Sequence, residues 1–135
     1  MENNRYMIGN LVLINGNAYK IEVITETEVT AKNISTGYIS VYPWSEVNGI
    51  RLDDYFFEKN GYSLSEPYED KHERIVTHIT PDDGYGPAVT KYEPIVPNSL
   101  ETEYCITGII VRNVHDFQNL MNICRCPDIA DKIIA

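Results

Sequence analysis

Cysteine, basic runs and long apolar stretches are all scarce in this chain of 135 residues, and each shortage removes a class of chemistry. The three cysteines, Cys105, Cys124 and Cys126, are an odd number without framework spacing. A disulfide scaffold is therefore not expected, and reduced thiols in a cytosol are. Apolar runs such as Leu11 to Ile14 and Ile109 to Val111 are far too short for a bilayer-spanning helix. The opening residues MENNRY hold no apolar segment, so no secretory leader is expected. No Lys/Arg run offsets the net charge of −9, so direct nucleic-acid binding is disfavoured.

Reaction motifs are missing as well. There is no Gly-rich phosphate loop, no nucleophile elbow and no H-E-x-x-H. The turn Pro81-Asp82-Asp83-Gly84 lacks the alternating acids and distal Glu of a calcium loop. Cys124-Arg125-Cys126 is too tightly spaced for a zinc site and lies at the wrong helix end for an activated thiol. No catalytic residue, metal or cofactor is expected.

Hydrophobic residues make up 43% of the chain, enough for a globular core. The first third reads as short strands. Asn15-Gly16 follows the apolar Leu11–Ile14 and marks a tight hairpin. Residues 18–25 then alternate, with Tyr19, Ile21 and Val23 on one face and Lys20 and Glu22 on the other. Residues 28–34 and 38–42 are two more β-rich runs, and Trp44 is placed to lid the end of their core. Asp53 caps a short helix carrying Tyr55, Phe56 and Phe57, which stops at Asn60-Gly61. Further strands are expected at 75–79, 88–92 and 104–111, and Pro94 and Pro97 limit the segment after residue 92 to an edge or a loop. Asn113 is the cap expected for a helix over 114–125, with Val114, Phe117, Leu120, Met121 and Cys124 on one face. Pro127 ends it, and 129–134 is an apolar tail.

The expected fold is thus α+β. A small antiparallel SH3-like β-barrel or curled sheet with a short helix occupies 1–62, and a linker occupies 63–73. A second small β unit closed by the C-terminal helix occupies 74–135.

Three stretches carry a resemblance: IGNLVLINGNAYKIEVI from Ile8, VNGIRLDDYFFEKNGY from Val47 and VRNVHDFQNL from Val111. In this order they resemble a broad group of small proteins from phages, prophages and mobile elements of gut Bacteroidales, to which no activity is assigned. That group has an opening I-G-N-x-V, a middle I-x-L-x(4)-L-x-K-N-G-F and a closing V-H-x-L-Q-N-L. Phe117 replaces the usual Leu of the closing motif, Phe56 or Phe57 stands for the Leu of the middle one, and Cys124 to Pro127 departs from the pattern. The resemblance implies a bacterial host cytosol and a phage-encoded accessory protein.

The chain is rich in tyrosine, with ten copies. Tyr19, Tyr38, Tyr42, Tyr55 and Tyr104 fall in regular elements and are expected in the core. Tyr62, Tyr68, Tyr85 and Tyr92 fall in the middle, where a contact surface is expected, because tyrosine joins a broad apolar face to a polar tip at small entropic cost. Arg74, Lys91 and Arg112 are the nearby cations. His115 and Gln118 lie one helical turn apart at the rim of the apolar stripe, either packed against a sheet or forming a polar clamp for a ligand.

Binding without catalysis is the function expected. One form is interference with host defence by sequestering a small signalling nucleotide, with tyrosines stacking on bases and Arg74, Lys91 and Arg112 meeting phosphates. Another is an acidic module that docks on a host or phage protein. Residues 61–104 hold nine acids and three bases, which suits a basic partner or simply a solvated surface. A minor virion or assembly role is a third. Homo-oligomerisation through strand edges is compatible with all of them.

Overall fold

A computed structural model describes residues 6–95 and 102–134; Pro97 lies outside them. The chain forms two compact units, one from residues up to 51 together with 113–133, the other from 52–112 with Ile134.

The first unit holds a five-stranded antiparallel sheet in the order β4-β3-β2-β1-β5. Its strands are β1 (Leu11–Ile14), β2 (Asn17–Ile24), β3 (Glu28–Asn33), β4 (Ile39–Pro43) and β5 (Val47–Asn48). Asn15 and Gly16 both take positive φ, 51° and 79°, which is the mirror-image turn that Asn-Gly favours between twisted strands. Trp44 is buried in a single 3-10 turn, Trp44–Glu46, and donates its indole N–H to the Thr25 carbonyl at 2.9 Å. Val12, Ile14, Ile21, Val29 and Ala31 fill the core beneath it.

The alternation expected across residues 18–25 breaks in the middle. The register with β3 shifts between Ile21 and Val23, so a bulge turns Val23 outward and Ile24 packs against the core in its place. Val23 is 50% exposed. Neither sheet closes on itself among the described residues.

Helix α2 (Val114–Ile123) and helix α3 (Pro127–Lys132) complete the first unit. The helix expected to close the second β unit thus belongs to the first, where it contacts β1 and α3. Its amino end matches expectation: the Asn113 N–H donates to the Asp116 carboxylate at 3.3 Å. It stops before Cys124, because Arg125 enters the left-handed region at φ 61°. Pro127 then opens α3 at a position where proline's missing N–H costs nothing. Cys124 is exposed, in contrast to its expected place on the apolar face.

In the second unit, α1 (Asp54–Lys59) precedes β6 (Tyr62–Leu64), β7 (Tyr68–Glu69), β8 (Arg74–Pro81), β9 (Val89–Pro94), β10 (Glu103–Ile106) and β11 (Ile109–Val111). The sheet order is β11-β10-β9-β8-β6, with β7 also pairing β8. Asp53 caps α1 by accepting from the Phe56 N–H at 2.8 Å. Phe56 and Phe57 are buried, whereas Tyr55 is 67% exposed with the Lys59 ammonium over its ring. The single strand expected over 104–111 is a hairpin, bent where Thr107 and Gly108 take φ 49° and 83°. No helix among the described residues is long and apolar enough to cross a membrane.

Candidate functional site

Side chains alternate between the faces of a strand, so the pairing register of the second sheet sorts its residues. Val76 pairs with Tyr92 and Tyr68, and Tyr92 pairs with Glu103. Tyr68, Arg74, His78, Tyr92, Glu103 and Cys105 therefore share one face with Val76; Val76 is buried, and none of the other six is. Ile79, Val89, Lys91, Tyr104 and Ile106 point the other way and are all buried.

Two pairs dominate the open face. The Arg74 guanidinium lies 4.2 Å from the Tyr92 ring centroid, a cation–π stack. Its Nε and Nη2 both donate to Asp70 Oδ2, at 3.1 and 2.9 Å. Burial opposes ionisation of Asp70, but amide donors from Arg74 and His72 and the guanidinium outweigh it and hold the carboxyl below its usual range. The second pair is Tyr68 and His78, with hydroxyl and Nε2 2.9 Å apart and ring centroids at 5.6 Å. Ser65 fixes His78 through its backbone: its Oγ accepts from the His78 N–H at 3.0 Å and its N–H donates to the His78 carbonyl at 2.8 Å. Burial and the neighbouring Glu103 push the Cys105 thiol up, with Arg74 acting against them, so it is a poorer nucleophile than a free thiol.

Other residues singled out from the sequence fall elsewhere. Tyr62 is buried against Phe57, ring centroids 5.6 Å apart. Lys91 lies on the inner face, its ammonium 2.8 Å from Asp54 and 3.1 Å from Glu93. Burial alone would lower its pKa, but the two carboxylates raise it above the usual lysine value. The Tyr104 hydroxyl donates to the other Asp54 oxygen at 2.9 Å, and burial together with that carboxylate drives its ionisation far above the ordinary range. Tyr85 is 48% exposed in the β8–β9 turn, and Arg112 is exposed after β11. Of the five tyrosines expected in the core, Tyr19 and Tyr104 are buried, Tyr42 is half-buried, and Tyr38 and Tyr55 are exposed. Among the described residues no group of three or more His, Cys, Asp or Glu side chains converges as metal ligands would.

His115 and Gln118 belong to the first unit and serve its packing. β5 is only two residues long and pairs with Leu13 and Ile14, which leaves the Leu11 amide without a strand neighbour on that side among the described residues. Gln118 takes its place: its Oε1 accepts from the Leu11 N–H at 2.8 Å, and its Nε2 donates to the Gly9 and Ala130 carbonyls, both at 3.3 Å. Asn119 accepts from Asn10 Nδ2 at 2.8 Å, and Asn10 in turn accepts from the Met7 N–H. His115 is fully buried, with its ring 4.4 Å from that of Tyr6. Gly49 packs so closely that an added Cβ would lie 2.8 Å from Asn113 and 3.0 Å from His115. The opening I-G-N motif, Gly49 after β5 and the closing V-H-D-F-Q-N-L motif are thus parts of one clasp.

His78 is a site residue that sequence reasoning passed over, and Asp70 read only as one of several exposed acids in the middle of the chain. His78 was within reach, since alternation in Arg74–Pro81 sets it on the Arg74 side. No family model, curated protein or solved structure matches the chain.

Proposed function

We propose that this protein acts by stoichiometric binding rather than catalysis, and that the open face of the second sheet is its recognition surface. One observation carries the reading: Tyr68, Arg74 and Tyr92 stand together on that face, already braced by His78 and Asp70. Tyrosine and arginine anchors held in place before binding lose little entropy on contact, which is how a small surface gains affinity. The partner that fits best is a protein with a basic surface. Arg74 is matched by Asp70 and Lys91 by Asp54 and Glu93, and Glu69 of β7 together with Glu66, Glu73, Asp82 and Asp83 in the connecting turns adds exposed or half-buried acids to this unit. Complementary charge of this kind chiefly accelerates encounter and weakens with salt.

A small signalling nucleotide is the second reading. It is favoured by the Arg74–Tyr92 stack, whose outer guanidinium plane offers a base a flat cationic partner. Either ligand suits a phage-type accessory protein in a bacterial cytosol, such as a countermeasure to host defence, or a minor assembly component. For the first unit we read an SH3-like arrangement. The order β5-β1-β2-β3-β4, the bulge in β2 and the 3-10 turn before β5 support it.

The experiment compares wild type with a Tyr68→Ala/Tyr92→Ala variant in two assays, pull-down from host lysate at low and high salt and calorimetry with cyclic and ADP-ribose-type nucleotides. Salt-sensitive capture that the variant loses supports a protein partner. Heat with a nucleotide that the variant loses supports the second reading. Binding that is unchanged in the variant removes this face from the proposal.

A further inference from the structure

We propose that β4 is a two-fold interface at which a second copy of this chain adds its own β4, joining the two first-unit sheets into one. The inference is independent of the binding face described above.

Among the described residues β4 pairs with β3 alone, so it is an open edge. Natural edges are blunted by a charge, an internal proline or a bulge, because an unpaired row of backbone groups recruits other strands. β4 has no charge and no bulge, and its one proline, Pro43, is its last residue. Residues 34–45 form a charge-free stretch in a chain of net charge −9. Two copies can meet there without placing like charges opposite each other.

The ladder with β3 fixes which backbone groups point outward. The Asn33 N–H donates to the Tyr38 carbonyl at 2.8 Å, and pairs Ala31–Ser40 and Val29–Tyr42 follow at two-residue steps. In an antiparallel ladder hydrogen-bonded and non-bonded pairs alternate. Ser40 and Tyr42 therefore turn their amides toward β3, and Ile39 and Val41 turn theirs to the open side. An antiparallel two-fold partner can then bond both residues in one register only, with Ile39 opposite the partner's Val41 and Ser40 on the axis. A register centred on Val41 would set Ile39 against Pro43, which has no N–H to give. One centred on Ile39 would leave Val41 unbonded.

Side chains agree with that register. On the outer face it stacks Ile39 on Val41 of the other copy, 59% and 53% exposed in the single chain, with Val23 of the bulge extending the stripe through Thr30. On the other face it sets Tyr38, 78% exposed, across from the half-buried Tyr42. Cross-strand pairs of this aromatic and β-branched kind are what stabilise sheets. The joined sheet reaches about ten strands, within the range of open sheets. The interface is at the small end for stable complexes, so association is concentration-dependent, and it strengthens with salt as repulsion between two acidic chains is screened.

The test is register-specific. Residues facing across the axis in a non-bonded pair have Cα atoms about 4.5 Å apart, within disulfide reach. In full-length chain with Cys105, Cys124 and Cys126 replaced by Ser, Ser40→Cys is oxidised mildly beside a Thr30→Cys control. Ser40→Cys should cross-link at least ten-fold faster. Sedimentation of the parent should show a monomer–dimer equilibrium shifted to dimer by salt. Ile39→Lys should abolish both signals with an unchanged circular dichroism spectrum. A parent that stays monomeric at several hundred micromolar overturns the proposal, as does equal cross-linking by the two cysteines or a dimer that survives Ile39→Lys.

Discussion

Replacing Gln118 by leucine keeps the volume of the side chain and removes three hydrogen bonds from the clasp of the first unit. The Leu11 amide is the costliest loss. It is buried, no strand among the described residues neighbours it on that side, and Gln118 Oε1 is its partner at 2.8 Å. A buried donor left without an acceptor costs about 1–3 kcal/mol. The bonds to the Gly9 and Ala130 carbonyls are longer, 3.3 Å each, and end on acceptors with a second lone pair. Together they add no more than about 1 kcal/mol. The expected loss is therefore about 1–4 kcal/mol, which moves a urea midpoint by about 1–4 M if m is about 1 kcal/mol/M for a unit this small. The single tryptophan, Trp44, is buried in the same unit, so its fluorescence reports this transition. Gln118→Glu provides an internal check. It keeps an acceptor for Leu11 but aims a second oxygen at two carbonyls, so it should be at least as damaging at pH 7 and partly recover once the carboxyl is protonated. A Gln118→Leu midpoint equivalent to less than about 0.5 kcal/mol of loss would refute the clasp.

Two further outcomes follow, one in each unit. Gly49→Ala should destabilise the first unit by about 1–3 kcal/mol through overpacking against Asn113 and His115, read by the same fluorescence transition, while Gly84→Ala, which strains a turn of the second unit at φ 73°, should leave that transition unchanged. In the second unit, Tyr104 and Lys91 both have raised pKa values, so their contributions are fully present below the unfolded values of about 10 and are lost as pH climbs through the folded ones. Stability by circular dichroism should be flat from pH 7 to 9 and fall above pH 10. Tyr104→Phe should lose about 1 kcal/mol at pH 8 and part of that alkaline slope, with Lys91 supplying the remainder; a variant retaining the whole slope would contradict the assignment.

Local chemistry was legible in the sequence wherever one or two residues decide the backbone. Asn15-Gly16 and the caps Asp53 and Asn113 act through their own side chains and dihedral angles, and each appears where expected. The bulge that ejects Val23 depends on how β2 slides against β3, which no local pattern records. The Thr107-Gly108 turn was hidden because a β-branched residue rarely takes positive φ. On the site, Lys91 and Tyr92 are neighbours in a strand, so only one of them could ever face outward. The clasp was not legible because its halves lie more than a hundred residues apart: Gln118 reads as a rim residue until Leu11 is beside it.

Arg51 and Asn113 form an antiparallel bridge, and the Leu52 N–H donates to the Arg112 carbonyl at 3.0 Å. The polypeptide therefore leaves its partner at Arg51 and meets it again at Asn113 only after the whole 52–112 segment has been made. On a ribosome adding about 5–20 residues per second, the N-terminal strands wait roughly 3–12 s before the helix that completes them emerges. The unit formed by 52–112 can therefore be complete before the unit that it interrupts.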